Sequence, residues 1–199
     1  MDNIRKVWQP EIFYHITLRG NNMQNIFLNK GDFLFFTNTL DQANNIYSFT
    51  IIAYSLMNNH YHLLIRSPSV PLSEVLIFIN QQYSKYYKRK YKYFDQLFET
   101  RYFTNMISDP KELLKVSKHI HRNHLYTQRT ILEGLAIYPY SSYSFYIDDK
   151  QRKPSYINTY LLPTLLKQYP EFKMVNYNMY CETIQLEVEK SFHCPYCLT

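Results

Sequence analysis

The hydrophobic period of this chain changes at Pro71, and that change constrains the fold more than any other feature of the sequence. Before it, apolar residues recur at every second position. In residues 10–19, PEIFYHITLR, Ile12, Tyr14, Ile16 and Leu18 share one side, and Phe13, His15, Thr17 and Arg19 the other. That is the period of a strand. Residues 48–57, SFTIIAYSLM, and 60–66, HYHLLIR, read as two more strands meeting at Asn58-Asn59. Residues 48–66 then form a hairpin that Ser67-Pro68 closes, since proline cannot donate to a ladder. After Pro71, Leu72, Val75, Leu76 and Ile79 recur at helical spacing, and the helix runs on through NQQYSKYYKRKY. A second helix starts with Asp109 as N-cap, Pro110 at its first position and Glu112 at its third, a capping-box pattern. Its apolar stripe is Leu113, Val116 and Ile120.

The rest of the chain is less periodic. Gly20-Asn21-Asn22 and Asn29-Lys30-Gly31-Asp32 read as turns, and residues 34–36 fit a strand or a helix start equally. YPYSSYSFYI at 138–147 is aromatic and turn-rich, DDKQRKP at 148–154 reads as an exposed linker, and 155–169 and 174–191 read as helices. Strands followed by covering helices make an α+β fold. The expected organisation is one domain over residues 1–147 and a helical C-terminal extension over 155–199.

Composition narrows the function. Glycine occurs three times in 199 residues, too few for the glycine-rich phosphate loops of Rossmann or P-loop proteins. A formal charge of +6 favours a phosphate-bearing partner, although the same excess also serves solubility alone. Lys85, Lys88, Arg89, Lys90 and Lys92 gather on one helix half, with Tyr83, Tyr86, Tyr87 and Tyr91 interleaved. Charge with stacking surface suits single-stranded nucleic acid; a solvated face over packed tyrosines is the other reading. No apolar run resembles a signal peptide and none is long enough to span a bilayer, so no membrane partner is expected. Cys181, Cys194 and Cys197 do not form a disulfide framework and fit a reducing cytoplasm. With His193 they could close a zinc site; ordinary reduced thiols are the simpler reading.

His60 and His62 stand one residue apart in a strand, so their imidazoles project to one side, with Leu64 and Arg66 following. Two imidazoles suit borderline ions, and magnesium or manganese can also bind when oxygen fills the rest of the shell. Asn123 on the second helix, with His119 about 40° away around it, offers a further ligand. Without such a ligand, each histidine is simply hydrogen-bonded at a sheet edge.

An ordered series of stretches carries a resemblance. FYHITLRGNN, YSLMNNHYHLLIRSP, NQQYSKYYKRKY, FETRYF, SKHIHRN and YPYSSYSFY follow one another between residue 13 and about residue 146. Together they resemble the IS200-like single-tyrosine transposases, including those associated with repetitive extragenic palindromes. The resemblance implies a ferredoxin-like core with a central antiparallel sheet flanked by helices. It implies a homodimer acting on single-stranded or hairpin DNA, with RNA as a further possibility. It also implies a divalent ion, magnesium or manganese, held by His60, His62 and Asn123. A transition metal is the variant. Arg19 and Arg101 match basic positions of the family. Together with Lys85, Lys88, Arg89, Lys90 and Lys118 they are the expected nucleic-acid contacts, and Arg101 is also a candidate catalytic contact to phosphate.

One departure is sharp. Family members place a nucleophilic tyrosine before Ile-His-x-Asn, where it forms a 5′-phosphotyrosine link and frees a 3′-hydroxyl. This chain reads Lys118-His119-Ile120-His121-Arg122-Asn123. The proline expected after the asparagine is His124, and glycines usual between the helices are replaced by KYKYFDQLFE. His119 therefore occupies the nucleophile's place, where no phosphotyrosine can form. Three readings follow: cleavage through another tyrosine such as Tyr126, a metal-dependent hydrolytic nuclease, or a domesticated binder of DNA or RNA that no longer cleaves.

Overall fold

The computed structural model describes residues 8–127, 135–173 and 175–183. Strand β1 (Phe13–Arg19) is followed by helix α1 (Lys30–Tyr47), the hairpin of β2 (Thr50–Met57) and β3 (His60–Arg66), helix α2 (Leu72–Tyr91), strand β4 (Phe103–Ile107) and helix α3 (Pro110–Thr127). The strands form one antiparallel sheet in the order β2-β3-β1-β4. This βαββαβ path is the ferredoxin-like arrangement expected. Helices α1 and α2 pack together on one face, burying Leu40, Val75, Ile79 and Tyr83 against Ile16, Tyr61 and Leu63. Helix α3 covers the other face, where Leu114, Val116 and Ile120 join Phe13, Ile52 and Leu64.

Two core elements escape the sequence reading. Residues 29–32 look like a turn but begin α1: Asn29 Oδ1 accepts from Gly31 N at 3.0 Å, and Asp32 Oδ2 accepts from Asn29 N at 3.0 Å. This reciprocal capping box starts a helix whose buried positions, Phe33, Phe36, Leu40 and Ala43, keep helical spacing. The pattern is hidden because Leu34 and Ile46 are apolar yet exposed. Strand β4 is a five-residue edge strand in which only Ile107 is buried and Phe103, Asn105 and Met106 are half-buried, so it carries little alternation.

The C-terminal part closes the sheet's other edge. Leu56 N donates to Tyr140 O, Ser142 N to Tyr54 O, and Ile51 N to Tyr156 O. The segments around 140–142 and 156–158 thus satisfy the outer backbone of β2, which would otherwise offer an open pairing edge. This shortens the helix expected over 155–169. Ile157 bridges to Ile51, and Asn158 Oδ1 caps the start of α5 (Leu161–Leu166) by accepting from Tyr160 N and Leu161 N. A four-residue helix, α4 (Ser144–Ile147), precedes it. Of the helix expected over 174–191, the structure shows α6 (Tyr177–Glu182). Cys194, Cys197 and His193 lie outside the described residues. Cys181 is buried, and burial pushes its thiol up to about 12. Among the described residues no helix is long and apolar enough to cross a membrane.

Asp32 ties α1 to α2. It is fully buried and accepts from Leu28 N, Asn29 N, Tyr86 Oη, Tyr91 Oη and, at 2.6 Å, Lys90 Nζ. Burial opposes its ionisation, but the hydrogen bonds from Lys90, Tyr91, Leu28 N and Tyr86 outweigh burial and hold the carboxyl below its ordinary range. Asp32→Ala is expected to cost on the order of 3 kcal/mol of unfolding free energy in urea titrations. Lys90→Met should cost clearly less, since its side chain is one-third exposed and four other donors remain on the carboxylate.

Candidate functional site

The β1–β3 register assembles a cluster of imidazoles beneath α3. Thr17 lies directly across from His62, and Arg19 across from His60. All four side chains, with His15, leave the sheet on the face opposite the α1–α2 layer, because the strand period is two. Thr17 Oγ1 sits 2.9 Å from His62 Nδ1, and His15 Nε2 sits 3.0 Å from the same atom. The His15 and His62 rings stack at 5.2 Å, and His60 meets His62 edge-on at 4.9 Å. His15, Thr17, His60 and His62 are all buried.

Helix α3 brings the other half. His119 and Asn123, four residues apart, share the helix face toward the sheet. Asn123 Oδ1 is 3.2 Å from His60 Nε2. The His119 ring lies 6.1 Å from His62 and 6.5 Å from His15, and it is partly exposed. Burial, then the charge of His119, pushes His15 down to about 3. Burial, then the charges of His60, His15 and His119, holds His62 well below its usual range. Both rings are therefore neutral at physiological pH, the state in which imidazole can ligate a metal.

The donor set fits a divalent cation. His60 Nδ1 is 2.7 Å from Asn59 Oδ1 and its Nε2 is 3.2 Å from Asn123 Oδ1, so the nitrogen and the oxygen that could ligate already stand together. Ligands about 2.1 Å from one ion and at right angles to each other stand about 3 Å apart. Among the described residues no group of three or more His, Cys, Asp or Glu side chains forms a ready cage, so the set is two imidazoles and an amide, with room left for oxygen ligands from water or phosphate.

The expected basic residues divide into two groups. Lys85, Lys88 and Arg89 are exposed on α2, and Arg101 is exposed in the segment before β4. Lys85 and Lys88 line a groove of about 750 Å³ together with Leu97, Phe98 and Tyr102. The others are engaged within the protein. Arg19 holds Glu99 with two hydrogen bonds, at 2.8 and 3.0 Å. Lys90 serves Asp32. Lys118 is buried on the far side of α3, where its ammonium meets Thr183 O and lies over the Tyr180 ring.

Two residues of interest were not singled out from the sequence. His15 was placed on the correct strand face, but only the β1–β3 pairing puts it against His62. Phe94 is 90% exposed, the most exposed of the large apolar side chains among the described residues. It follows the left-handed cap at Lys92, φ 53°, that ends the basic helix. Its signal was an aromatic residue directly after a lysine-rich helix end.

Residues 9–123, more than half of the chain, match the family described as "Transposase IS200 like". No curated protein matches. Among solved structures, the chain is similar to the REP-associated tyrosine transposase bound to a REP hairpin. The TM-score is 0.60 and the identity 13%, covering 74% of this chain and 86% of that one. A second similarity, to a candidate transposase from Deinococcus radiodurans, has a TM-score of 0.42 and 12% identity over 61% of this chain and 97% of that one. At such identities the first likeness speaks for the fold.

A pH dependence follows from His121, on the opposite side of α3. Its Nε2 is 2.9 Å from Ser142 Oγ and its Nδ1 3.1 Å from Tyr177 Oη. Burial, then the charge of His124, pushes it down to about 3. The unfolded chain therefore takes up this proton first, at about 6.5, and stability falls as the pH drops below that value. Urea titrations in EDTA should show His121→Asn less stable than wild type at pH 7.5. The variant should also lose about 1.4 kcal/mol less than wild type on going to pH 5.5.

Proposed function

The chain belongs to the IS200-like transposase family, and from that premise we propose that it binds single-stranded or hairpin DNA at the α3–sheet site without forming a protein-linked strand. The observation that carries this reading is His119. It holds the family's tyrosine position and faces the His62 and His15 rings, so α3 presents an imidazole where a phenol would attack. Histidine bonded to a phosphodiester through nitrogen would be labile and could not wait for a second strand to arrive.

His60, His62 and Asn123 are the residues proposed to hold a divalent metal, which when bound would draw charge off a phosphate oxygen. The chain's own contribution is positional. The buried imidazoles stay neutral and fixed, α3 sets Asn123 over His60, and the partly exposed His119 ring stands at the rim. Lys85, Lys88, Arg89 and Arg101 are proposed to contact the phosphate backbone, and Phe94 to stack on a base. An exposed phenylalanine forgoes the ~1.5–3 kcal/mol that burial would give, a cost that stacking on a nucleobase recovers. The homodimer expected of the family would form away from the β2 edge, which the chain's own segments cover. A hydrolytic nuclease is the second reading, favoured by the His119 imidazole as a base beside the ligand pair.

Labelled hairpin DNA with manganese tests these readings. Wild type should bind and yield no covalent product on a denaturing gel, whereas His119→Tyr should yield one that is lost when His60→Ala is added. A covalent adduct from wild type would overturn the proposal, and free cleaved strands that require His119 would establish the nuclease. Phe94→Ala should weaken single-strand binding by about 1–3 kcal/mol. Lys88→Ala and Arg101→Ala should each lower the salt slope of binding by about one.

A further inference from the structure

A pocket of about 380 Å³ lies on the α1 side of the sheet, away from the histidine cluster. Helix α1 supplies Lys30, Phe33 and Asp41, strand β2 supplies Tyr54, and Tyr140 and Tyr156 come from the C-terminal part. That part lies beyond residues 9–123, the stretch that matches the family. The segments that close the β2 edge therefore also build a concave site there. Its volume is in the range of pockets that take a small molecule.

Three polar groups of this pocket have no partner among the described residues. Tyr156 is 1% exposed, and its hydroxyl is buried without a hydrogen bond. Tyr54 is buried as well, and its hydroxyl makes no hydrogen bond. The half-buried Asp41 carboxylate has neither a hydrogen bond nor an ion pair. Burial pushes the Asp41 carboxyl up, and the charge of Arg152 offsets only part of this. Burial first, then nearby Tyr54 and Asp41, push the Tyr156 hydroxyl up, which puts the three groups in one neighbourhood. Folded proteins leave few buried polar groups unpaired, so each calls for a reason. The wall beside them is aromatic. Phe27, Phe33 and Tyr140 form a stacked column with ring centres 4.5 and 3.6 Å apart. A bridging water would serve the hydroxyls but would use neither the volume nor the flat wall.

We propose that this pocket binds a guanine base carrying a phosphate, with Asp41 as the acceptor for the base's Watson–Crick edge. Guanine has two neighbouring donors on that edge, N1–H and the 2-amino group, and one carboxylate accepts both. Adenine and cytosine set a ring acceptor beside their amino group, and thymine sets two carbonyls around one N–H. A carboxylate repels part of each. The Tyr54 and Tyr156 hydroxyls are donors for O6 or N7, and aromatic side chains are the usual partners for the faces of an unstacked base. Lys30 is exposed at the rim, and Arg152 acts on Asp41 from nearby. Their charge draws in a phosphate and disfavours a cationic ligand. The pocket stands on its own residues; that the base belongs to a bound strand, and not to a free nucleotide, rests on the nucleic-acid reading above.

The test has two arms. In the first, binding of the 5′-monophosphates of guanosine, inosine, adenosine and cytidine is measured by ligand-observed NMR on wild type, Asp41→Asn and Tyr156→Phe. Neither substitution removes a side-chain hydrogen bond made among the described residues, so both variants should match wild type by circular dichroism. Wild type should hold the guanine nucleotide about 10–100-fold more tightly than the other three; inosine is among them because it lacks the 2-amino group. Asp41→Asn should lose that preference, and Tyr156→Phe should weaken the guanine nucleotide by about 5-fold. In the second arm, a thymine-only oligonucleotide is compared with the same strand carrying one guanine. Tighter binding of the guanine strand by wild type, lost in Asp41→Asn, identifies the base as part of a strand. A preference among the mononucleotides with neither strand bound keeps the pocket, makes its ligand a free nucleotide and sinks the nucleic-acid reading. No guanine preference in either arm, or one that Asp41→Asn leaves unchanged, would overturn the proposal; strands bound without that preference would leave the nucleic-acid reading standing.

Discussion

The pairing of β1 with β3 is the constraint on which the rest of this structure depends. Both strands are central in the sheet and buried on both faces, so their register cannot drift without exchanging one core for the other. A slip of β3 by one residue would send His60 and His62 under α1 and α2, away from His15 and Thr17, and push Tyr61 and Leu63 toward α3. The register that puts Thr17 across from His62 thus fixes two things together. It completes the apolar layer beneath α1 and α2, and it gathers the imidazoles on the opposite side.

Helix α3 works on three sides. Its apolar stripe seats it on the sheet, which sets the height of His119 and Asn123 over the histidines. Its far side carries Lys118 and Arg122, one turn apart, whose cations meet the carbonyls of Thr183, Cys181 and Glu182 at the end of α6. These are the backbone acceptors a helix leaves without intrahelical partners, and cations are favoured there. Between them, His121 links the helix to Ser142 and Tyr177. The C-terminal helices therefore brace the element that carries half of the candidate site.

The basic residues illustrate how charge divides between architecture and surface. Arg19 and Lys90 looked equivalent to Lys85 and Lys88 in the sequence. Their partners decide otherwise: Glu99 approaches Arg19 because its backbone N–H bonds the Arg19 carbonyl, and Asp32 reaches Lys90 because α1 lies against the end of α2. A carboxylate brought in by the fold turns a possible phosphate contact into a brace. Lys85, Lys88 and Arg89 stay exposed on the part of α2 that faces away from the sheet.

Much of this was legible in the sequence because it depends on local spacing. Period two gave β1, β2 and β3 and put His60 with His62; period 3.6 gave α2 and α3 and put His119 near Asn123; an asparagine-rich junction marked the hairpin. Helix α1 was hidden because exposed leucine and isoleucine blurred its stripe, and β4 because a short edge strand buries too little to alternate. The facts that matter most at the site were not local. That His15 touches His62, that Asn123 meets His60, and that Lys118 turns away from its neighbour His119 all depend on strand register and helix docking. Those are set by contacts between residues 45 to 65 positions apart, where sequence spacing carries no distance and only the packed core does.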